Sequence, residues 1–142
     1  MLDGNLDTRA GRLNDRYRHH AAIEVLRRAV TDPDLGQVAL VSSFGAESVV
    51  LLHMVSRVAP GLPVLFIDTQ MLFPETLAYQ QEVAERLSLT NVQVITASEA
   101  EIAAHDPDGT LHKSNPDACC DFRKTVPPVS YTHLTLPTIL RV

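Results

Sequence analysis

Gln37 to Ser48 reads QVALVSSFGAES, and this stretch decides the fold. Its first half, Gln37 to Ser42, is a short apolar run rich in β-branched residues. A strand covered on both faces in a parallel sheet reads that way. The run then enters Ser43-Phe44-Gly45-Ala46-Glu47-Ser48 and opens VVLLHMVSRV, where Val49, Leu52, Val55 and Ser56 share one side of a helix ending at Pro60-Gly61. The pattern repeats downstream. Pro63 to Asp68 (PVLFID) is a second buried strand, Phe73-Pro74-Glu75 opens a helix with its proline in the tolerated first turn, and Asn91 to Thr96 (NVQVIT) is a third strand. Ser98 then sits at a cap with Glu99 and Glu101 behind it, so a short helix comes next, and Asp106-Pro107-Asp108-Gly109 is a turn.

Upstream, Tyr17, Ala21, Val25 and Ala29 recur every four residues, with Ala22 and Leu26 alongside. This predicts a helix over 16–30, stopped by Asp32-Pro33-Asp34. Residues 1–15 are polar and expected to be loose. Strands alternating with helices at this spacing indicate βαβ units around a parallel sheet with right-handed crossovers. Ligands of such sheets bind outside the carboxyl ends of the strands, so the chemistry is sought at 42–48 and 68–75.

The chain of 142 residues suits one domain, and 45% hydrophobic with 20% charged residues is the composition of a globular protein. Twelve Lys+Arg against seventeen Asp+Glu give −5, which argues against a protein that coats nucleic acid. No apolar run reaches the ~18 to 20 residues that span a bilayer, and the N-terminus has no apolar signal core. The expectation is a cytoplasmic protein with no membrane partner. There the two cysteines are ligands, nucleophiles or buried hydrophobes sooner than a structural disulfide.

At the first strand exit, Gly45 and Ala46 let the backbone approach a ligand closely, and the amides opening the helix at Ala46 to Ser48 favour an anion. Ser42, Ser43 and Ser48 add hydroxyls. These features make a phosphate or sulfate cradle or, equally, a Ser-capped turn without a ligand. There is no Walker A or dinucleotide glycine pattern. At the second exit, Asp68 either accepts from a ribose hydroxyl or caps its own loop, and Thr69 offers a hydroxyl on the same rim. Phe73 reads as a core residue ahead of an adenine-facing one. Cys119-Cys120-Asp121-Phe122-Arg123-Lys124 sets two thiols before two cations, which lower thiol pKa values and bind phosphate or sulfate oxygens. Without context, two free thiols in a helix is the simpler reading. His19, His20, His53, His105, His112 and His133 show no metal-ligand spacing, and a zinc site with His112 lacks a fourth ligand.

Three ordered segments, SSFGAES, DTQMLFPET and CCDFRK, resemble the assimilatory sulfonucleotide reductases, which reduce adenylyl sulfate or phosphoadenylyl sulfate. SFGAES is similar to the S-G-G-x-D-S loop of the PP-loop adenine-nucleotide hydrolase superfamily, with Phe44 for a glycine and Glu47 for an aspartate. Many family members carry glycine where this chain has Gln70. The resemblance implies an α/β fold with a parallel, adenine-nucleotide α-hydrolase-like (PP-loop) sheet, truncated at the C-terminus. It implies substrate contacts from Ser42, Ser43, Gly45, Ala46, Glu47, Ser48, Asp68, Thr69, Arg123 and Lys124. By the same resemblance Cys119 and Cys120 are half of the ligand set of a 4Fe-4S cluster in the full-length form, and the pair favours adenylyl sulfate. Thioredoxin or glutaredoxin is the implied electron donor, and a homo-oligomer stays open.

In the family a further Cys-x-x-Cys and a Glu-Cys-Gly nucleophile come later, and neither is in this sequence. No catalytic nucleophile is therefore expected in this chain, and turnover is not expected. Two rival readings are an ATP-dependent PP-loop enzyme of thiolation or adenylation, which Phe44 and Glu47 disfavour, and a non-catalytic nucleotide-binding fragment. Residues 1–127 read as the N-terminal part of one reductase domain. Residues 128–142 (PVSYTHLTLPTILRV) lose the pattern. Their opening is what CCT-GTC-TCT-TAT-ACA-CAT-CTN encodes, which resembles a transposon-end adapter, so this tail is expected to be non-native and carries no weight in the fold class.

Overall fold

The structure, a computed structural model, describes residues 3–129 and 138–141, with side chains described over 8–129. Helices α1 (Asp3–Tyr17) and α2 (Ala22–Ala29) precede strand β1 (Val38–Val41). Next in the chain are α3 (Ser48–Val58), β2 (Val64–Ile67), α4 (Pro74–Arg86), β3 (Val92–Ile95) and α5 (Glu99–His105). Short helices α6 (Leu111–Ser114) and α7 (Pro116–Cys120) lead into a π-helical turn at Asp121–Thr125, and β4 (Thr138–Arg141) comes last.

The four strands form one parallel sheet in the order β3-β2-β1-β4. Leu40 pairs with Val64, and Val64 with Val92, in register. Alternation along each strand then sorts the side chains. Leu40, Val64 and Phe66 face α3 and α4, where Leu52, Val55 and Val83 complete a core. Leu40, Leu52, Val55 and Val64 are fully buried, and each such side chain taken from water contributes roughly 1.5–3 kcal/mol. Ala39 and Leu65 face the other way, with Val41 and Ile95 against them. The connections β1-α3-β2 and β2-α4-β3 run in one direction across the sheet. β4 pairs with the other edge of β1. The carboxyl ends of β1 and β2 lie side by side, where an open parallel sheet leaves room for a ligand.

The expected strands and the helices after them are all present, including the Ser98 cap. Ser98 Oγ accepts from the Glu101 amide at 3.2 Å, and the Glu101 carboxylate accepts from the Ser98 amide at 3.0 Å. These bonds hold the Glu101 carboxyl below its ordinary range, the backbone amide of Ser98 contributing most. The N-terminus differs from its expectation. Asp3–Tyr17 is a helix, not a loose segment. Tertiary anchors supply what polar composition does not: Arg16 pairs with Asp32 at 2.7 Å and Asp34 at 2.9 Å, and the Tyr17 hydroxyl donates to Asp32. The stripe over 16–30 is also split. The His20 amide turns back onto the Tyr17 carbonyl at 3.1 Å, and Ala21 is extended at φ −63°, ψ 153°.

Residues 138–141 of the tail contribute backbone to the sheet. Thr138 to Arg141 align with Val38 to Val41 along the whole length of β1. The expectation for residues 130–137, His133 among them, falls outside the described residues. Among the described residues no helix is long and apolar enough to cross a membrane.

Candidate functional site

β1 delivers Ser42 and Ser43 to the carboxyl end of the sheet, and the chain must turn sharply there to enter α3. Ser42 is fully buried, and its Oγ accepts from the Phe44 amide at 3.1 Å. Phe44 has φ 57°, in the left-handed region where a Cβ is costly. Its ring, 2% exposed, packs edge to face on Phe66 of β2 with centroids 5.5 Å apart. A glycine could make this turn without strain, whereas Phe44 makes it by anchoring its ring in the core.

Helix α3 begins at Ser48, later than the amide cradle at Ala46 to Ser48 requires. The Ser48 amide donates to the Gly45 carbonyl at 3.0 Å and is spent inside the turn. Among the described residues the Ala46 and Glu47 amides keep no acceptor. Ser43 Oγ and Ser48 Oγ lie 3.4 Å apart, and the exposed Ser43 faces the rim. Glu47 is exposed at the start of the helix, with no capping hydrogen bond.

At the second exit, Asp68 Oδ1 accepts from the Gln70 amide at 2.7 Å, so its local role is to cap its own loop. Gln70 comes two residues later with φ 61°, again left-handed. Thr69 Oγ1 accepts from the Met71 amide at 3.3 Å. Phe73, expected in the core, is 76% exposed. It stands just ahead of Pro74, the first residue of α4, where an extended backbone carries its ring clear of the sheet.

Between the two exits lies a cleft of about 410 Å³, within the size range of small-molecule sites. Its floor is Val41, Phe66, Ile67 and Leu72, and its polar lining is Ser42, Ser43, Thr69, Thr76 and Lys124. Sequence reasoning named four of these polar residues and missed Thr76. Leu72 and Thr76, four apart on either side of the α4 start, face the same way, which is the signal that could have found them.

The structure separates the two cations that come after the cysteine pair. Lys124 is exposed and reaches the cleft. Arg123, expected at the substrate, is 4% exposed and lies among protein partners. It donates to Asp106 at 2.9 Å and to the Thr69 carbonyl at 3.0 Å. Among the described residues its Nε has no partner. Asp106, which the sequence placed in a turn, is held below its ordinary carboxylate value by the Leu111 amide and then by Arg123.

Cys119 is buried and Cys120 exposed, and both are free thiols. Among the described residues no three His, Cys, Asp or Glu side chains gather into a metal site. Two thiols alone do not complete a cluster site.

Residues 37–135 match the phosphoadenosine phosphosulfate reductase domain. An adenosine 5'-phosphosulfate reductase of Mesorhizobium japonicum is 44% identical over 125 residues, 88% of this chain and 49% of its own length. One from Chelativorans sp. is 45% identical over 127 residues, 89% of this chain and 51% of its own. The crystal structure of a phosphoadenylyl-sulfate reductase from Candida auris, a phosphate complex, superposes with a TM-score of 0.74 at 27% identity, covering 92% of this chain and 64% of that one. The chain thus spans about half the length of the curated relatives it matches. A parallel sheet with its cleft at the carboxyl ends of β1 and β2, and a sequence match that runs from β1 past the cysteine pair, give one conclusion: this chain belongs to the phosphoadenosine phosphosulfate reductase domain family.

Proposed function

We propose that this chain is the nucleotide-holding part of a sulfonucleotide reductase and takes adenylyl sulfate in the cleft between the exits of β1 and β2. The supporting observation is the convergence of Ser42, Ser43 and Thr69 with Lys124, which arrives from beside the cysteine pair. The hydroxyls of Ser43 and Thr69 donate to phosphate or sulfate oxygens, while the buried Ser42 shapes the turn beneath them, and Lys124 supplies the one cation on the cleft wall among the described residues. The apolar floor suits the body of a nucleotide. The relatives named as adenosine 5'-phosphosulfate reductases favour adenylyl sulfate over its 3'-phosphorylated analogue.

Cys119 and Cys120 would supply two of the four thiolates of a 4Fe-4S cluster, which would bring iron held by thiolates to this end of the chain. Both cysteines of the chain are then occupied, so no thiol remains to attack sulfur. The complete enzyme reduces its substrate to sulfite with thioredoxin or glutaredoxin as donor, in the cytoplasm. The present chain binds and does not turn over, and residues 128–142 are not native to it.

Calorimetric titration with adenylyl sulfate and with AMP, alongside a sulfite assay, tests this reading. Binding without sulfite is expected. Failure to bind either nucleotide overturns it, and release of pyrophosphate from ATP transfers the chain to the ATP-dependent PP-loop enzymes.

A further inference from the structure

We propose that Arg123 is a positioning residue that fixes Thr69 against Lys124 across the cleft, with Gln70 as one arm of the clamp. Three segments distant in sequence meet at its guanidinium. Nη2 donates to Asp106 Oδ2 at 2.9 Å, while Nη1 donates to the Thr69 carbonyl at 3.0 Å and to Gln70 Oε1 at 3.3 Å. Asp106 is fixed in turn, its Oδ1 accepting from the Leu111 amide at 3.0 Å. Behind the guanidinium, the Phe122 ring centroid lies 4.9 Å from its central carbon.

The geometry needs an arginine. One planar fork spans the carboxylate on one side and the loop carbonyl on the other, and a lysine ammonium offers no such fork. The segments it joins are the ones that carry the cleft. Thr69 and Lys124 are both lining residues, and Lys124 is the next residue after Arg123 on the same π-helical turn. Gln70 explains its own conformation here. Its φ of 61° favours glycine, and its side chain offsets that strain by accepting from Arg123. A glycine at this position would leave Arg123 only the Thr69 carbonyl on the loop side. Arg123 therefore holds the two walls of the cleft at a fixed separation and does not spend its charge on the ligand.

The functional consequence rests on the reading of this cleft as a nucleotide site, so the clamp itself is tested without nucleotide. Amide hydrogen exchange of the chain is measured by NMR at Gln70 and Met71, whose amides are bonded within the loop. Arg123→Lys keeps a charge beside Asp106 and loses the fork; Gln70→Ala keeps the ion pair and loses one arm. Exchange at both amides is expected to rise roughly tenfold in R123K and several-fold in Q70A, with the amides of β1, β2 and α3 unchanged. Unchanged loop exchange in both variants overturns the proposal. So does a uniform loosening of R123K alongside a silent Q70A, because Arg123 then only holds the core together. A parallel titration with AMP separates the two readings. Loop loosening in a chain that never binds AMP leaves the clamp standing and removes the nucleotide.

Discussion

Phe44 and Phe66 meet edge to face, their rings 89° apart, and this contact holds the first β-to-α turn in a left-handed conformation. The turn that aims Ser43 at the cleft is thus stabilised from inside the core. Phe44→Ala keeps the backbone strain and loses the ring, and is expected to cost about 3–5 kcal/mol. Phe44→Gly loses the ring but relaxes the strain, so it should be the milder change by about 1 kcal/mol. Urea unfolding of the two variants checks the order; a more stable alanine variant contradicts the account.

Ser42 acts on the same turn through a single bond. Replacing it with alanine strands the buried Phe44 amide without its acceptor. A loss of about 1–3 kcal/mol is expected, read from the shift in urea midpoint at constant slope.

Lys124 is exposed and makes no ion pair among the described residues, so its removal leaves the folded chain almost as stable as before. Lys124→Ala is expected to weaken AMP binding about tenfold, or ~1.4 kcal/mol, with the melting temperature unchanged. Binding of the unmodified chain should weaken with added salt, and the variant should lose part of that dependence.

The lowered pKa of Asp106 makes its contribution to stability depend on pH. A carboxyl that is more acidic folded than unfolded adds stability that is fully present above its unfolded value of about 4. That stability fades as pH falls through the lower folded value. Melting temperatures are therefore expected to drop on acidification below about pH 4, and Asp106→Asn should flatten this part of the profile. An equally steep acid limb in the asparagine variant would assign the loss to Asp32 and Glu101, whose carboxyls are also held low.

Cys120 is exposed and Cys119 buried, two neighbours on one helix end. Maleimide should modify Cys120 roughly tenfold or more faster than Cys119 in the folded chain, and both equally in denaturant. Mass spectrometry of the labelled peptide reads the order directly.

The alternation of apolar runs with helical stripes carried the fold, because strand and helix each impose their own period on a chain with one core to fill. QVALVS, PVLFID and NVQVIT became β1, β2 and β3, and Ser98 with Glu101 announced the start of α5. The position of the cleft came from the same pattern, since parallel strands leave their carboxyl ends open. The fates of Arg123 and Lys124 did not. The two cations are adjacent in sequence and chemically alike, and only packing points one at Asp106 and Thr69 and the other at the cleft. Phe44 and Phe73 divide in the same manner, one ring buried beneath a strained turn and the other left in water. The order of α1 depends on Asp32 and Asp34, which lie beyond the next helix. Periodicity is a local property and can be read along the chain. Which partner a polar or aromatic side chain meets depends on segments more than a third of the chain away, and that is settled only when the sheet brings them together.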